Sequence, residues 1–298
     1  MRDNVLCALP AALDSAESSA CPLCRGLLLK TIAEYKRRRL IKCDQCGVSF
    51  ALPQPAPEEL TAHFEVSQEL GEADLQSKFE RYREHVLARV AEYIQSQKAG
   101  GCILDIGCAT GFFLARFFPR ANWRTRGIEL SSQTAARAVS KGITVHRGSI
   151  HTAQLPESSV DVISVIDTFY YFLAPQTELA EFRHILKPQG ILVLELPLAG
   201  SRIWRTSHRV GKLLSGTRQQ LLETSDHLFY YNPKSITFLL EKSGFQVKTL
   251  LPLPGNRQQH FFRNLIYKAY SLLSLSLHAI SRSRILLAPR FAVVACKK

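Results

Sequence analysis

The sequence ILDIGCATGFF occupies residues 103–113 and decides the fold, because an apolar run ends there in an acid and a glycine-rich turn. Such a turn after a strand is typical of nucleotide-binding α/β proteins. A dinucleotide site requires GxGxxG, yet counting from Gly107 puts Ala109 at the second glycine position and Phe112 at the third. The carboxylate of Asp105 would repel a pyrophosphate but could hold an ammonium group. The turn therefore predicts a ligand with a cationic end.

Strands and helices alternate outward from this turn. The predicted strands are CILDIG (102–107), TRGIEL (125–130), TVHRG (144–148), VDVISVID (160–167), GILVLEL (190–196), FQVKTLLP (245–252) and FAVVACKK (291–298). The predicted helices between them are ATGFFLARFF (109–118), SQTAARAVSK (132–141), TELAEFRHIL (177–186) and SITFLLEKSG (235–244). Nearly continuous apolar strands between helices indicate a parallel sheet buried on both faces. The pattern predicts an α/β fold with a doubly wound sheet.

Four cysteines form two pairs near the start of the chain. They are Cys21 and Cys24 in CPLCRG, and Cys43 and Cys46 in CDQCGVSF. This spacing is typical of a structural zinc ribbon, in which four thiolates fill a tetrahedral shell and leave no position for substrate. Two disulfides or four free thiols are the alternatives. The spacing favours Zn²⁺ with a structural role.

The positive charge is confined to the last third of the chain. Residues 1–200 hold 22 Lys/Arg and 22 Asp/Glu, whereas residues 201–298 hold 16 Lys/Arg and 3 Asp/Glu, which accounts for the net charge of +13. Such a local excess predicts a surface that meets an anion. The composition excludes disordered, collagenous and disulfide-scaffold classes. No apolar run reaches the ~18 residues of a membrane span and no signal peptide is recognisable, so we expect a cytoplasmic protein.

Composition shifts divide the chain into three predicted units. Residues 1–57 form the zinc-ribbon module, which closes at the proline-rich LPQPAPEE (52–59). Residues 58–99 form a helical linker or cap, and residues 100–298 form the α/β domain with insertions at 199–231 and 255–289. The run Lys36–Arg39 between the cysteine pairs suits either a nucleic-acid contact or a solvated hairpin tip, and nearby acids favour the second.

Four motifs in order resemble the class I S-adenosylmethionine-dependent methyltransferases. Residues ILDIGCATGFF resemble the glycine-rich motif, GIELS (127–131) the ribose-binding acid, LPESSVDVISVIDTFYYF (155–172) the fourth-strand motif, and LKPQGILVLELP (186–197) the turn into the fifth strand. The resemblance covers about residues 98–298. It implies a Rossmann-like seven-stranded methyltransferase sheet whose last strand is antiparallel.

The resemblance also implies a binding site for S-adenosyl-L-methionine. Asp105 would hold the methionine amino end, and Glu129 would bind the ribose hydroxyls. Ser149 and Ile150 stand where the family commonly has an adenine-binding acid. The implied cofactor-binding residues are Asp105, Gly107, Cys108, Gly111, Glu129, Ser149, Ile150 and Asp167. Ala109 replaces a glycine, which is tolerable if its φ is negative. Ordinary strand-end acids are the alternative interpretation of Asp105 and Glu129.

The general base is predicted outside the fourth-strand motif. Where many relatives have a histidine, this chain reads DTFYY, with Tyr170 and Tyr171 in its place; Tyr171 can orient an acceptor, but a phenol with a pKa near ~10 is a poor base. The segment SDHLFYYNPKSITFLLEKSGF (225–245) resembles the HLxxF motif of zinc-ribbon methyltransferases from polysaccharide and natural-product pathways. His227 is therefore the candidate base. A structural histidine is the alternative.

The two insertions are candidates for contacts with the acceptor or a partner. Residues 199–231 carry a basic cluster and form the predicted acceptor lid; a solvated basic surface explains the cluster equally well. Residues 255–289 form an amphipathic helix. We expect its apolar face to cover the active site or a homodimer partner, with peripheral contact to an anionic membrane as the alternative.

Three functions compete. The first is methyl transfer to a hydroxyl or carbon of a small, anionic glycan, nucleotide sugar or related metabolite. The second is an RNA methyltransferase, which the near-neutral zinc module and the lack of an NPPY-like motif disfavour. The third is a non-catalytic protein that retains the fold.

Overall fold

The computed structural model describes residues 20–35, 38–69, 73–198, 227–256, 261–281 and 286–298. The predicted lid and its basic cluster therefore lie mostly outside the described residues, since 199–226 are not among them. The strands are β1 Leu29–Tyr35, β2 Arg38–Cys43, β3 Ser49–Leu52, β4 Gly101–Ile106, β5 Trp123–Glu129, β6 Thr144–Arg147, β7 Val160–Ile166, β8 Leu186–Pro197, β9 Phe229–Tyr230, β10 Phe245–Leu253 and β11 Arg290–Lys297. The α-helices are α1 Pro57–Glu69, α2 Ala73–Gln97, α3 Ser132–Ser140, α4 Ile150–Ala153, α5 Pro175–Ile185, α6 Pro233–Lys242 and α7 Phe261–Ile280.

Seven strands form the main sheet in the order β10-β11-β8-β7-β4-β5-β6. Strands β4 to β8 run parallel, and β11 runs antiparallel to both β8 and β10. The apolar side chains of β4, β7 and β8 are buried because helices cover both faces of the sheet. The predicted doubly wound, seven-stranded fold with an antiparallel last strand is confirmed. The carboxyl ends of β4, β5, β7 and β8 lie at one edge.

The predicted helix over residues 109–118 is wrong. Only a short 3-10 turn, Leu114–Arg116, forms there. Gly111 has a φ of +73°, which no right-handed helix includes, and Pro119 lacks the amide that a longer helix would need. Burial fixes the segment instead, because Phe113, Leu114 and Phe117 pack into an apolar cluster.

The cysteine-bearing hairpin forms its own antiparallel sheet of β1, β2, β3 and β9. Its fourth strand, β9, comes from the last residues of the predicted lid, with Ser49 opposite Tyr230 and Phe50 opposite Phe229. The amide of Ala51 also donates to the Leu228 carbonyl at 2.9 Å. The predicted module of residues 1–57 therefore shares a sheet with residues 229–230.

Helix α7 lies beside β10 with its polar side inward. Ser271, Ser274 and His278 are buried, while Leu265, Leu272, Leu273 and Ile280 are exposed. The expectation that its apolar face covers the active site is therefore wrong; polar contacts to the flanking segments fix the orientation of the helix instead. Within the described residues, no helix has both the length and the apolar character needed to cross a bilayer.

Candidate active site and cysteine cluster

The glycine-rich turn brings Asp105 to the end of β4. Gly107 and Gly111 have φ angles of +74° and +73°, which only glycine adopts without strain. A Cβ on Gly107 would lie 2.6 Å from the Thr168 hydroxyl oxygen, so the turn packs closely against the segment after β7. The φ of Ala109 is +46°, opposite in sign to the condition under which alanine was expected to be tolerable.

Asp105 is almost completely buried at the carboxyl end of β4, with 1% of its surface exposed. Ser164 on β7 donates to Oδ1 at 2.7 Å, and among the described residues no group donates to Oδ2. Burial raises the pKa of Asp105 to about 8, and the charge of Glu129 adds to this shift. A carboxylate oxygen without a protein donor, on a residue this well buried, fits a cationic ligand group. The ammonium of a methionine moiety meets that requirement.

Glu129 ends β5, the strand next to β4. Its two oxygens accept from backbone amides, Oε2 from Ala109 at 2.8 Å and Oε1 from Ser131 at 2.9 Å. These bonds fix the carboxylate, and each oxygen keeps a further lone pair for a ribose hydroxyl. Burial raises the pKa of Glu129 above its ordinary value.

The remaining predicted cofactor residues lie around this turn. Cys108 is buried, and a Cβ on Gly127 would lie 2.3 Å from its Sγ; its amide donates to the Ile128 carbonyl. Ser149 caps α4 by accepting from the Thr152 amide at 3.3 Å, and Ile150 is buried behind it. The Ser149 hydroxyl oxygen thus accepts a hydrogen bond from the helix, and its hydroxyl proton can donate to an adenine nitrogen.

Asp167 follows β7 in the left-handed region, with a φ of +56°, and belongs to a buried ionic network. Arg83 of α2 donates to Asp167 Oδ2 at 2.8 Å and to Glu195 Oε2 at 2.6 Å. Arg290 donates to the same two carboxylates. Burial alone would raise the pKa of Asp167, but the guanidinium groups of Arg290 and Arg83 outweigh it and lower that pKa. Both carboxylate oxygens are therefore engaged by protein groups.

His227 and the two tyrosines form an aromatic cluster above this network. The His227 ring lies 3.7 Å from that of Tyr170, centroid to centroid, and 5.6 Å from that of Tyr171. The Tyr170 hydroxyl donates to Asp167 Oδ1 at 2.6 Å. The Leu228 amide donates to the Tyr170 carbonyl at 3.1 Å, which ties the histidine segment to the turn after β7. The structure thus brings His227, Tyr171 and Asp167 together.

Sequence reasoning missed four residues of this site. Arg83, Glu195 and Arg290 form the network, and Arg38 is buried and donates to the His227 carbonyl at 3.3 Å. The solvated-tip interpretation is therefore wrong for Arg38. Glu195 offered a signal, because an acid within the apolar run of β8 requires a buried cationic partner. The partners come from distant parts of the chain, so the sequence did not indicate them.

Helices α1 and α2 cover the same edge of the sheet. Phe64 of α1 packs edge-on against Tyr171, with ring centroids 5.0 Å apart. On α2, Glu80 accepts from the Thr110 hydroxyl, and His85 pairs with the Gly255 carbonyl at 2.9 Å. Contacts from both helices thus reach the glycine-rich turn, the aromatic cluster and the segment after β10.

The four predicted metal ligands converge. Their sulfur atoms all lie within 4.8 Å of one another, with Cys21 and Cys46 at 3.7 Å and Cys24 and Cys43 at 3.6 Å. A tetrahedron with Zn–S bonds of ~2.3 Å has edges of about 3.8 Å, and a disulfide would need ~2.05 Å. The pKa of Cys21 is lowered to about 5 because the Cys46 thiol donates to it, and the pKa of Cys46 is raised. The cluster therefore fits a tetrahedral metal ion.

The strand order, the glycine-rich turn after β4 and the acids ending β4 and β5 define a class I S-adenosylmethionine-dependent methyltransferase. A methyltransferase-domain family model matches residues 78–250. The chain belongs to this methyltransferase family, because the match covers more than half of its length.

Solved structures share the fold. A SAM-dependent methyltransferase from Thermotoga maritima, described as a possible histamine N-methyltransferase, has a TM-score of 0.54 at 16% identity, over 80% of this chain and 100% of that one. A chain from the complex of the Haloferax volcanii Trm112 methyltransferase activator with a methyltransferase has a TM-score of 0.52 at 15% identity, over 82% and 99%. Identities this low show the fold alone. No curated relative matches the sequence.

Proposed function

We propose that this enzyme transfers a methyl group from S-adenosylmethionine to a hydroxyl or carbon of a small anionic acceptor, such as a glycan or nucleotide sugar, with His227 as general base. The observation that carries the proposal is the placement of His227. It lies in the cluster with Tyr170 and Asp167 after β7, and Thr168 of the same segment packs against Gly107 of the glycine-rich turn.

The cofactor-binding roles follow from the two strand-end acids. Asp105 accepts the ammonium group of the methionine moiety, and Glu129 accepts the ribose hydroxyls. The backbone at Gly107 and Gly111 permits close approach, and Ser149 and Ile150 line the adenine side. The bound sulfonium supplies an activated methyl group. The protein aligns the acceptor, excludes water and removes a proton.

His227 suits proton removal because an imidazole titrates near neutral pH. The Tyr170 ring, itself fixed by Asp167, lies against the imidazole at an interplanar angle of 33° and holds it in one orientation. Tyr171 contacts both His227 and Phe64, so we assign it to orienting the acceptor. Asp167, with both oxygens engaged, acts by holding Tyr170 and the end of β7 in place.

An anionic acceptor accounts for the charge distribution. Asp167 and Glu195 neutralise Arg83 and Arg290. Of the basic residues in 201–298, this network includes only Arg290, so it does not account for the excess positive charge of that region. A cationic sulfonium gains nothing from that excess, whereas a phosphate or carboxylate does. We also propose that Cys21, Cys24, Cys43 and Cys46 hold a structural Zn²⁺. Four thiolates persist in a reducing compartment, which favours the cytoplasm.

The test is a labelled-methyl assay with separated nucleotide-sugar, glycan, lipid and RNA fractions. We expect label in a glycan or nucleotide-sugar fraction, and His227→Ala to lower kcat at least about 100-fold, the size of a general-base contribution. His184→Ala, at an exposed histidine in the last turn of α5, is the matched control and should retain full turnover. Equal turnover in the two variants would exclude His227 as the base.

The competing functions give different results in the same assay. If the label appears in RNA, and RNA binding by the protein weakens steeply as the salt concentration rises, the acceptor is RNA and not a small molecule. If calorimetry detects no binding of S-adenosylmethionine to the wild type and Glu129→Ala gives the same result, the protein is non-catalytic and only retains the fold.

A further inference from the structure

Helix α7 presents its apolar side to solvent. Four aliphatic residues of the helix are largely exposed, at 56% for Leu265, 66% for Leu272, 59% for Leu273 and 79% for Ile280. They recur at the spacing of one helical face, together with the small residues Ala269 and Ala279, which are also exposed. An exposed and largely apolar helix face of this kind marks a contact with a partner or a membrane.

The opposite side of α7 is fixed to the protein by polar groups. The Gly255 amide donates to the Ser271 hydroxyl at 3.3 Å. The Tyr270 hydroxyl donates to the Leu287 carbonyl. Contacts on both flanking segments therefore hold the helix in an orientation that leaves its leucines outward.

The charged residues in the stretch of sequence that contains α7 are all basic. Residues 257–284 contain Arg257, Arg263, Lys268, Arg282 and Arg284 and no acid, and the last acidic residue of the chain is Glu241. A twofold dimer in which α7 packs against its copy would bring two copies of this basic stretch together, and the stretch itself contains no carboxylate to pair them. Nucleic acid would satisfy the charges but not the apolar stripe. An anionic lipid surface satisfies both.

We propose that the exposed face of α7, defined by Leu265, Leu272, Leu273 and Ile280, docks this enzyme on an anionic lipid bilayer. The helix lies in the plane of the interface, with its aliphatic side chains among the acyl chains and its basic residues near the headgroups. It connects the end of β10 to the start of β11. Because β10 runs parallel to β8, α7 leaves the same edge of the sheet that carries the candidate active site.

The test uses the full chain in flotation with two kinds of vesicle, pure phosphatidylcholine and phosphatidylcholine mixed with phosphatidylglycerol. We expect binding at least about ten-fold stronger to the anionic vesicles. The double variant Leu272→Glu/Leu273→Glu should weaken that binding at least about ten-fold. Both positions are exposed, and circular dichroism checks that the variant is folded.

The matched control is Leu27→Glu/Val139→Glu, which changes two other exposed apolar residues (72% and 54%) by the same charge and should leave vesicle binding unchanged. Two results would overturn the proposal. One is equal vesicle binding by wild type and the α7 variant. The other is a wild-type dimer in light scattering that the α7 variant dissociates, which would assign the face to a second copy. Neither depends on the acceptor or on turnover.

Discussion

Ala109 occupies a backbone conformation that costs an alanine energy. At a φ of +46°, its Cβ lies too close to the backbone, which costs roughly 1–2 kcal/mol. Glycine has no Cβ and avoids this cost. Glycine loses part of this gain through its more flexible unfolded chain. We expect Ala109→Gly to raise the free energy of unfolding by about 0.5–1 kcal/mol, as measured by urea denaturation.

The control for Ala109 is an alanine in a right-handed helix. Ala135 lies within α3, so Ala135→Gly should lower the free energy of unfolding by about 1 kcal/mol. If both variants are destabilised alike, the left-handed conformation of Ala109 is not strained.

Asp105 should make cofactor binding depend on pH. In the free protein burial raises its pKa to about 8, so at pH 6–7 the carboxyl is mostly protonated and must lose a proton to accept an ammonium group. The affinity for S-adenosylmethionine should therefore rise by up to about ten-fold per pH unit from pH 6 and level off above pH 8. Calorimetry in buffers of different ionisation heat should detect the released proton.

Asp105→Asn removes the titrating group and serves as the control. Its affinity should be lower and flat between pH 6 and 8. A wild-type affinity that is equally flat would place the cofactor ammonium away from Asp105.

Among elements, the ionic network joins α2, β8, β11 and the end of β7. Each guanidinium bridges two carboxylates, and Glu195 is completely buried. Removing one charge leaves another buried without compensation, which costs about 3–5 kcal/mol. We expect Glu195→Gln to lower the free energy of unfolding by that amount in urea denaturation.

A surface ion pair provides the comparison. Arg147 and Glu65 lie 3.4 Å apart with the Arg147 side chain 66% exposed, so Arg147→Ala should cost less than about 1 kcal/mol. If Glu195→Gln lowers the free energy of unfolding no more than Arg147→Ala does, the network has no structural role.

The strands were predictable from the sequence, whereas the orientation of elements was not. The central strands β4 and β7 and most of β8 are apolar runs whose burial on both faces leaves little choice of secondary structure. By contrast, the segment 109–118 contains helix-forming residues, and the left-handed conformations of Ala109 and Gly111 in the structure show why no α-helix begins there. The inward face of α7 depends on contacts with Gly255 and Leu287, which no periodicity encodes.

The candidate site divides in the same way. Local spacing was sufficient to select Asp105, Glu129 and the four cysteines as candidate site residues, because each set follows from a short motif. The contacts of Arg83, Arg290 and Arg38 depend on pairings across 84 to 189 residues. Only Glu195, an acid within an apolar strand, indicated that such partners exist.

In the whole molecule, the cysteine cluster is coupled to the candidate base. Strand β3 pairs with β9, and Arg38 of β2 holds the His227 carbonyl. We expect Cys43→Ser to lose bound zinc and to lower kcat at least about ten-fold, while cofactor affinity changes by less than about two-fold. Metal analysis, calorimetry and turnover measure the three effects.

Cys296→Ser is the matched control, since Cys296 lies on β11 away from the cluster. It should keep both zinc and turnover. Cys43→Ser with zinc lost and turnover intact would show that the ribbon does not position His227.

The β3–β9 pairing also has a consequence for biosynthesis. Gly47 and its partner Asn232 are 185 residues apart, and ribosomes add roughly 5–20 residues per second. The edge of β3 therefore remains unpaired for roughly 10–40 s, until the ribosome has synthesised β9. An open edge is a template for mispairing with other chains. Metal loading during translation would keep the hairpin folded through that interval, so zinc starvation should reduce the yield of folded enzyme more than it reduces the stability of enzyme already made.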